Sequence, residues 1–94
     1  MKKSEKIIND YSWVVRGKQR REIIKFIDNI LTPTQIAEKS GYSLNHTSRV
    51  LSEFRKKGIA KCINPKQKTG RLYKLTKKGK LIKEKVEKSY KAKN

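Results

Sequence analysis

The stretch 32–58 constrains the fold of this chain more than any other segment, because it carries start and stop signals for two short helices joined by a tight turn. Thr32 can cap the first helix, and Pro33 suits the first helical position because it has no N–H group to leave unpaired. Gln35 completes a capping box with Thr32. Gly41 can adopt the left-handed conformation that ends a helix. The sequence therefore predicts a helix that starts and stops within this short span.

The second helix of the stretch has two chemically distinct faces. Ser43 is placed to cap it and Gly58 to end it. The face predicted to pack inward carries Thr47 through its methyl group, Val50, Leu51 and Phe54. The opposite face carries side chains that donate or accept hydrogen bonds, with no acid among them: Asn45, His46, Ser48, Arg49, Ser52 and Arg55. The two predicted helices span 33–40 and 44–57.

The outer face of the second helix has the chemistry needed to read base edges in a major groove. Arginine pairs with guanine and asparagine with adenine there, and serine can bond to several bases. A simpler interpretation is an ordinary solvated helix face, because amphipathic helices commonly place polar residues outward. The charge of the whole chain favours the first interpretation.

The net charge is +18 over 94 residues, from 26 Lys and Arg against 8 Asp and Glu. The charge is also uneven, since the thirty residues between Glu53 and Glu84 include twelve Lys or Arg and no acid. A solvated surface usually mixes both signs. This excess predicts a polyanionic partner, with nucleic acid ahead of an anionic membrane surface.

Composition also excludes several classes of protein. The length suits one domain with one modest core, and the single cysteine, Cys62, excludes a disulfide framework or a cysteine-based zinc site within one chain. Neither a secretory signal nor an apolar run of about 20 residues is present. No carboxylate pair, activated nucleophile, phosphate-binding glycine loop or metal cluster is found. We therefore expect a soluble cytoplasmic protein, associated with the nucleoid, that is not an enzyme and has no cofactor or metal.

Two helices are predicted before the central stretch. The first spans 4–16 and is capped by Ser4, with apolar positions Ile7, Ile8, Tyr11, Val14 and Val15. The second spans 18–31, with an inward stripe of Ile23, Ile24, Ile27, Ile30 and Leu31. Trp13 is interpreted as a packing residue. Phosphate contacts outside the central stretch are expected from Arg20, Arg21 and Thr34.

After Gly58 the apolar period changes from that of a helix to that of a strand. The span 59–76 is predicted as a β-hairpin, with the turn-rich, basic segment 64–70 at its tip and Tyr73 and Leu75 leaning on the helices. Cys62 is interpreted as a small core or edge residue, and a redox switch is the alternative. A last helix over 77–91, capped by Thr76, carries a narrow stripe that packs either on its own domain or on a second copy: Leu81, Ile82, Val86 and Tyr90.

The order helix, helix, turn, helix, basic hairpin, helix resembles the winged helix-turn-helix domain. The run QIAEKSGYSLNHTSRVLSEFRKKGIA is similar to the helix-turn-helix segments of arsenic-repressor-like and multiple-antibiotic-resistance-repressor-like regulators. The later run GRLYKLTKKGK resembles the second wing strand and following helix of these proteins, especially short archaeal-type ones. The resemblance covers about 20–82. It implies a mainly α fold with a small β-hairpin (α+β), built from a three-helix core, a wing and a C-terminal helix.

The resemblance also implies a transcription regulator, which we interpret as a repressor. The helix 44–57 would be its recognition helix in the major groove, and the segment 64–70 its wing. Lys66, Lys68 and Arg71 would reach the phosphates or the adjacent minor groove. The positions matching the usual base or phosphate contacts are Asn45, His46, Ser48 and Arg49. Metal sensing is disfavoured, because the paired cysteines or His/carboxylate clusters of the metal-sensing members are missing.

Three functions remain open from the sequence. The favoured one is a homodimeric, sequence-specific binder of double-stranded DNA that associates through its first helix, its last helix or both. The second is a sequence-indifferent architectural or RNA-associated binder driven by charge alone. The third is a winged helix that acts as an interaction module in a larger assembly.

Overall fold

The computed structural model describes the backbone of residues 3–89 and the side chains of residues 7–89. Tyr90 and the predicted end of the last helix at residue 91 lie outside the described residues. The secondary structure follows the predicted order, with five helices and one antiparallel hairpin in the described part of the chain. The elements are α1 (Lys3–Arg16), α2 (Lys18–Ile24), α3 (Pro33–Ser40), α4 (Leu44–Lys56), β1 (Ala60–Cys62), β2 (Tyr73–Leu75) and α5 (Lys77–Ser89).

The central pair of helices forms as its local signals predict. The Thr32 hydroxyl accepts a hydrogen bond from the Gln35 amide, and the Gln35 side chain accepts one from the Thr32 amide, which completes the capping box. Gly41 ends α3 with φ of 81°. The Ser43 hydroxyl then caps α4 by accepting from the His46 amide at 3.1 Å. The capping bonds pair backbone N–H groups at the two helix starts that have no partner within their own helix. They therefore fix where each helix begins and, with Gly41, define the turn between them.

The predicted helix over 18–31 is wrong in its second half. The helix α2 ends at Ile24, and the chain continues through a tighter turn in which the Ile27 amide donates to the Ile24 carbonyl at 3.3 Å. Leu31 is instead paired with Tyr73 by two backbone hydrogen bonds of 3.0 and 2.8 Å. This pairing extends the hairpin, so a helix through Leu31 would lose both bonds. Ile30, predicted as buried, is exposed.

The hairpin is shorter than predicted and is held by the helices through its inner face. Cys62 pairs with Tyr73, and the other two pairs of the register join Ala60 to Leu75 and Lys61 to Lys74. Tyr73 and Leu75 are buried, as predicted. Cys62 is half-buried, with its Sγ 3.6 Å from Asn64 Oδ1, which agrees with the interpretation of a small edge residue.

Helices α1 and α5 pack against each other. The Thr76 hydroxyl accepts from the Gly79 amide at 3.1 Å and so caps α5 as predicted. Ile82 and Val86 are buried within the domain, whereas Leu81, predicted in the same stripe, is exposed. Ile8, predicted to face inward from α1, is also exposed. Both predictions are wrong for the same reason. The apolar residues at helical spacing occupy a wider band of the helix surface than the neighbouring elements bury.

The core of the described residues lies where the five helices and the hairpin meet. Its largest fully buried side chains include Phe54, Ile23, Ile36, Leu51 and Ile59. Burial of one such side chain contributes about 1.5–3 kcal/mol. None of the helices in the range 3–89 is both long and apolar enough to cross a membrane.

Candidate nucleic-acid interface

The helix α4 separates an apolar face from a polar one, as predicted. Thr47, Val50, Leu51 and Phe54 are buried against the core. The outer side chains are exposed, with His46 half-buried, and they share hydrogen-bonding capacity without a negative charge: Asn45, His46, Ser48, Arg49, Ser52 and Arg55. A rigid helix therefore presents a row of donors and acceptors to an external partner.

His46 is held from a neighbouring helix by a residue that the sequence did not single out. The side-chain nitrogen of Gln19 in α2 lies 3.4 Å from Nδ1 of His46. When this amide donates, Nδ1 is the unprotonated nitrogen and Nε2 carries the hydrogen. His46 then offers a donor outward from α4. No sequence pattern links two residues 27 positions apart, so Gln19 was not predictable.

Ser43 lies at the edge of this face, but its hydroxyl oxygen already caps α4. The same hydroxyl still has one hydrogen to donate, since accepting a bond does not use it. Leu44, the next residue, is 47% exposed on the first turn of α4. Leu44 is not among the site residues predicted from the sequence, because an apolar residue carries no signal for nucleic-acid contact.

The wing is organised by the side chain of Asn64. Its Oδ1 accepts from the Leu72 amide at 2.7 Å and its Nδ2 donates to the Gly70 carbonyl at 3.2 Å, which ties the two ends of the tip together. Gly70 has φ of 67°, a left-handed conformation that favours glycine. The Arg71 Nε donates to the Gln67 carbonyl at 2.8 Å. Arg71 is therefore a half-buried brace of the tip, with part of its guanidinium left to bind a partner.

The tip of this wing places its lysines in solvent. Lys66 and Lys68 are both exposed. Lys68 and Arg71 line an open cleft of about 460 Å³ together with Thr34 at the start of α3 and Ser48 of α4. The cleft thus joins the predicted recognition helix, the predicted wing and one predicted phosphate contact in a single concave surface.

Arg20 and Arg21 are both anchored to the backbone of α1. The Arg20 Nε donates to the Trp13 carbonyl at 2.8 Å, and its guanidinium carbon lies 4.3 Å from the centre of the Trp13 ring. Arg21 donates to the Val15 carbonyl at 2.9 Å. Arg20 also borders a shallow cleft of about 370 Å³ with Arg49. Both arginines are positioned by α1, and Arg20 lies beside Arg49 of α4.

Trp13 is a packing residue, as predicted. Its ring meets Phe54 edge-on, with 6.0 Å between centroids and 70° between planes. Lys57 Nζ lies 4.8 Å from the same ring, near the end of α4. This cluster of one ring and two cations contributes cation–π attraction and joins α1 to the C-terminal end of α4.

Several acids of the described chain are engaged with lysines away from the outer face of α4. Asp10 Oδ2 lies 2.6 Å from Lys78 Nζ, at the distance of a charge-assisted hydrogen bond. Lys78 also donates to the Lys57 carbonyl at 2.6 Å. The hydrogen bond from Lys83 lowers the pKa of Asp28 below its usual 3.8; partial burial opposes this, and the charges of Lys83 and Lys39 add to it. The six predicted contact residues of α4 are positive or neutral, and the half-buried Glu53 borders the cleft of Arg20 and Arg49 beside them.

This geometry is that of a helix-turn-helix protein with a winged-helix fold, and it supports a DNA-binding transcriptional regulator as the class. Residues 15–61, half of the chain, match the homeodomain-like domain family. The chain therefore belongs to the homeodomain-like helix-turn-helix family. The matched span runs from the end of α1 to β1 and includes all of α3 and α4.

A solved structure extends the similarity to the whole fold. HlyU from Vibrio cholerae N16961 superposes with a TM-score of 0.72, over 96% of this chain and 98% of that chain. The sequences are 20% identical, so the likeness concerns the fold alone. Comparison with curated proteins found no match.

Proposed function

We propose that this protein binds double-stranded DNA sequence-specifically and represses transcription, with α4 in the major groove and the wing on the phosphates or in the adjacent minor groove. The observation that carries the proposal is the row of exposed, hydrogen-bonding side chains on the outer face of α4, next to a cleft that the wing residues Lys68 and Arg71 help to line. A recognition helix needs such a face, because base edges are read by directed hydrogen bonds. The family and the fold support the same class of function.

The proposed contacts divide into base-reading and phosphate-binding groups. Arg49 is the main base reader, because its fork of donors matches the O6 and N7 acceptors of guanine. Asn45, His46 and Ser48 supply further polar contacts on the same face. The phosphate-binding group fixes the orientation of the protein on the duplex. Its members are Lys66, Lys68, Arg71, Arg20, Arg21 and Thr34, while Ser43, Ser52 and Arg55 lie at the edges of the base-reading face.

We propose a homodimer that associates through α1 and α5. These helices pack together, and each carries one exposed aliphatic side chain, Ile8 at 56% and Leu81 at 43%. A second copy would cover them and would place two α4 helices on one duplex. A monomer in sedimentation at high concentration would contradict this part of the proposal.

We also propose a location for this protein and the absence of catalytic chemistry. We assign the protein to the cytoplasm, on the nucleoid, and to the short archaeal-type regulators similar to the arsenic-repressor-like and multiple-antibiotic-resistance-repressor-like groups. We propose no catalytic activity, cofactor or metal. One observation supports each of these assignments: the polar and basic side chains of α4 and the wing form a surface suited to a polyanion.

Selection of binding sites from a random duplex pool tests the proposal. The selection is carried out in about 0.15 M salt, because surface charge attraction is then partly screened. We expect enrichment of an inverted repeat whose half-sites lie about one helical turn apart. Retention of DNA without enrichment would contradict sequence-specific binding.

The second candidate function is a sequence-indifferent, architectural or RNA-associated binder. The net charge of +18 favours it, because counterion release alone can hold such a protein on any nucleic acid. Against it, Asn45 and Ser48 are neutral at the centre of the face where a purely electrostatic binder gains most from lysine. An interaction module is the third candidate, and failure to bind duplex DNA at physiological salt would favour it.

A further inference from the structure

Leu44 is an exposed aliphatic side chain in a cleft whose lining includes polar and basic residues as well as Pro33 and Tyr73. It is the first residue of α4, and packing within the domain leaves 47% of it uncovered. It lies one turn before Ser48 on the same face of the helix. Leu44 and Ser48 border the wing cleft together with Lys68 and Arg71. An apolar side chain on the first turn of α4 therefore borders a cleft that also carries two basic side chains.

The surroundings of Leu44 define what can cover it. Ser48 lies beside Leu44 on the same side of α4, and Lys68 and Arg71 line the same cleft. A protein partner or second copy would have to bury these polar groups to reach one leucine, at a cost for each that is left unpaired. A nucleic acid instead satisfies the polar groups and also offers an apolar one, the C5 methyl of thymine in the major groove.

We propose that Leu44 contacts a thymine methyl group and so selects thymine at one position of each half-site. This inference rests on the proposed function, because it requires α4 to lie in the major groove. The first turn of a recognition helix is the part that approaches base edges. Apolar contact with the methyl distinguishes thymine from cytosine at that position, because cytosine has no methyl group at C5.

The test replaces thymine by deoxyuridine in the selected site, one position at a time. This removes the methyl and leaves every hydrogen-bonding group of the base in place. We expect one position per half-site at which the change weakens binding of the unmodified protein about fourfold, as for loss of one buried methyl-sized group. Leu44→Ala should bind the thymine and deoxyuridine duplexes equally at that position. Alanine keeps the helix start intact, because it has the highest helix propensity.

Ile30→Ala is the matched control. Ile30 is also 47% exposed but lies before α3, outside the wing cleft, so this variant should keep the full sensitivity to the methyl. Circular dichroism on both variants confirms an equal fold. If every deoxyuridine substitution leaves binding unchanged, the role of Leu44 is overturned. The same holds if Leu44→Ala weakens binding to the thymine and deoxyuridine duplexes by the same factor, so that the preference for the methyl is kept. In both cases the proposed function stands. If no duplex is enriched at all, both proposals fall.

Discussion

At the scale of single residues, base reading and phosphate binding are separable because they depend on different physics. A bidentate arginine contact exists for one base and is lost on another, whereas a lysine near a phosphate attracts every duplex equally. Arg49 is exposed on α4, and Lys66 and Lys68 are exposed on the wing tip. Substitution of Arg49 should therefore weaken sequence-specific binding, whereas substitution of Lys66 or Lys68 should weaken binding to every duplex.

Arg49→Ala should weaken binding to the selected site by about 1–3 kcal/mol and leave binding to random duplex nearly unchanged. Lys66→Ala and Lys68→Ala should weaken both alike and reduce the slope of log affinity against log salt by about one unit each. Lys88→Ala on α5 removes the same charge far from the cleft and is the control. Titrations of both duplexes at several salt concentrations measure these effects, and equal losses on all sequences for Arg49→Ala would remove its base-reading role.

Asp28 should give a small, pH-dependent contribution to stability. Lys83 Nζ lies 2.7 Å from its carboxylate, and this hydrogen bond is the main cause of its lowered pKa. A lowered pKa in the folded state stabilises the protein above the usual value of 3.8, and the contribution is lost as the pH falls through the lowered value. Because the side chain is 52% exposed, the contribution is below about 1 kcal/mol.

Asp28→Asn should therefore lower the free energy of unfolding at pH 7, and the difference from the unmodified protein should shrink below pH 3.8. Urea denaturation over a pH series measures it. Glu87→Gln removes another exposed negative charge and controls for the increase in net charge. A deficit that persists unchanged at low pH would contradict the ion pair with Lys83 as its source.

At the scale of elements, the parts predictable from the sequence were those encoded within a few neighbouring residues. The capping box of Thr32 and Gln35, the left-handed Gly41 and the Ser43 cap gave the bounds of α3 and the start of α4 to the residue. The end of α2 depends on Leu31 pairing with Tyr73, 42 positions away, so helical spacing alone placed it seven residues too late. The contact of Gln19 with His46 was not predictable for the same reason.

Gly79 lies where α5 approaches the backbone of Ile59, the residue before β1. A methyl group at this position would overlap the Ile59 carbonyl oxygen, which is backbone and which already accepts from the Thr76 amide at 3.0 Å. Alanine normally stabilises a helix relative to glycine by about 1 kcal/mol. Here we expect the opposite sign, because the helix must move away from β1 to make room.

Gly79→Ala should lower the free energy of unfolding by about 1–3 kcal/mol, as for an overpacked site. Chemical denaturation measures this change. Lys80→Ala, at the exposed neighbouring position of the same helix, should alter the stability far less. A stabilised Gly79→Ala variant would show that α5 does not lie against Ile59 as described.

At the scale of the whole molecule, the charge that attracts DNA also opposes folding. A net charge of +18 on 94 residues creates self-repulsion that a few ion pairs, such as those of Asp10 and Asp28, only partly offset. Added salt screens this repulsion and also replaces the protein as the counterion of DNA. Folding and binding should therefore respond to salt in opposite directions.

Raising sodium chloride from about 0.05 to 0.5 M should increase the Tm of the free protein and decrease its affinity for DNA. The rise in Tm on adding DNA should shrink over the same range, because ligand stabilisation follows the ratio of ligand concentration to Kd. A variant with Lys80→Glu and Lys88→Glu, which carries a net charge of about +14, should show a weaker dependence of Tm on salt. Scanning calorimetry with and without duplex measures both effects. A Tm of the free protein that falls with salt would mean that its local ion pairs outweigh the repulsion among its excess lysines.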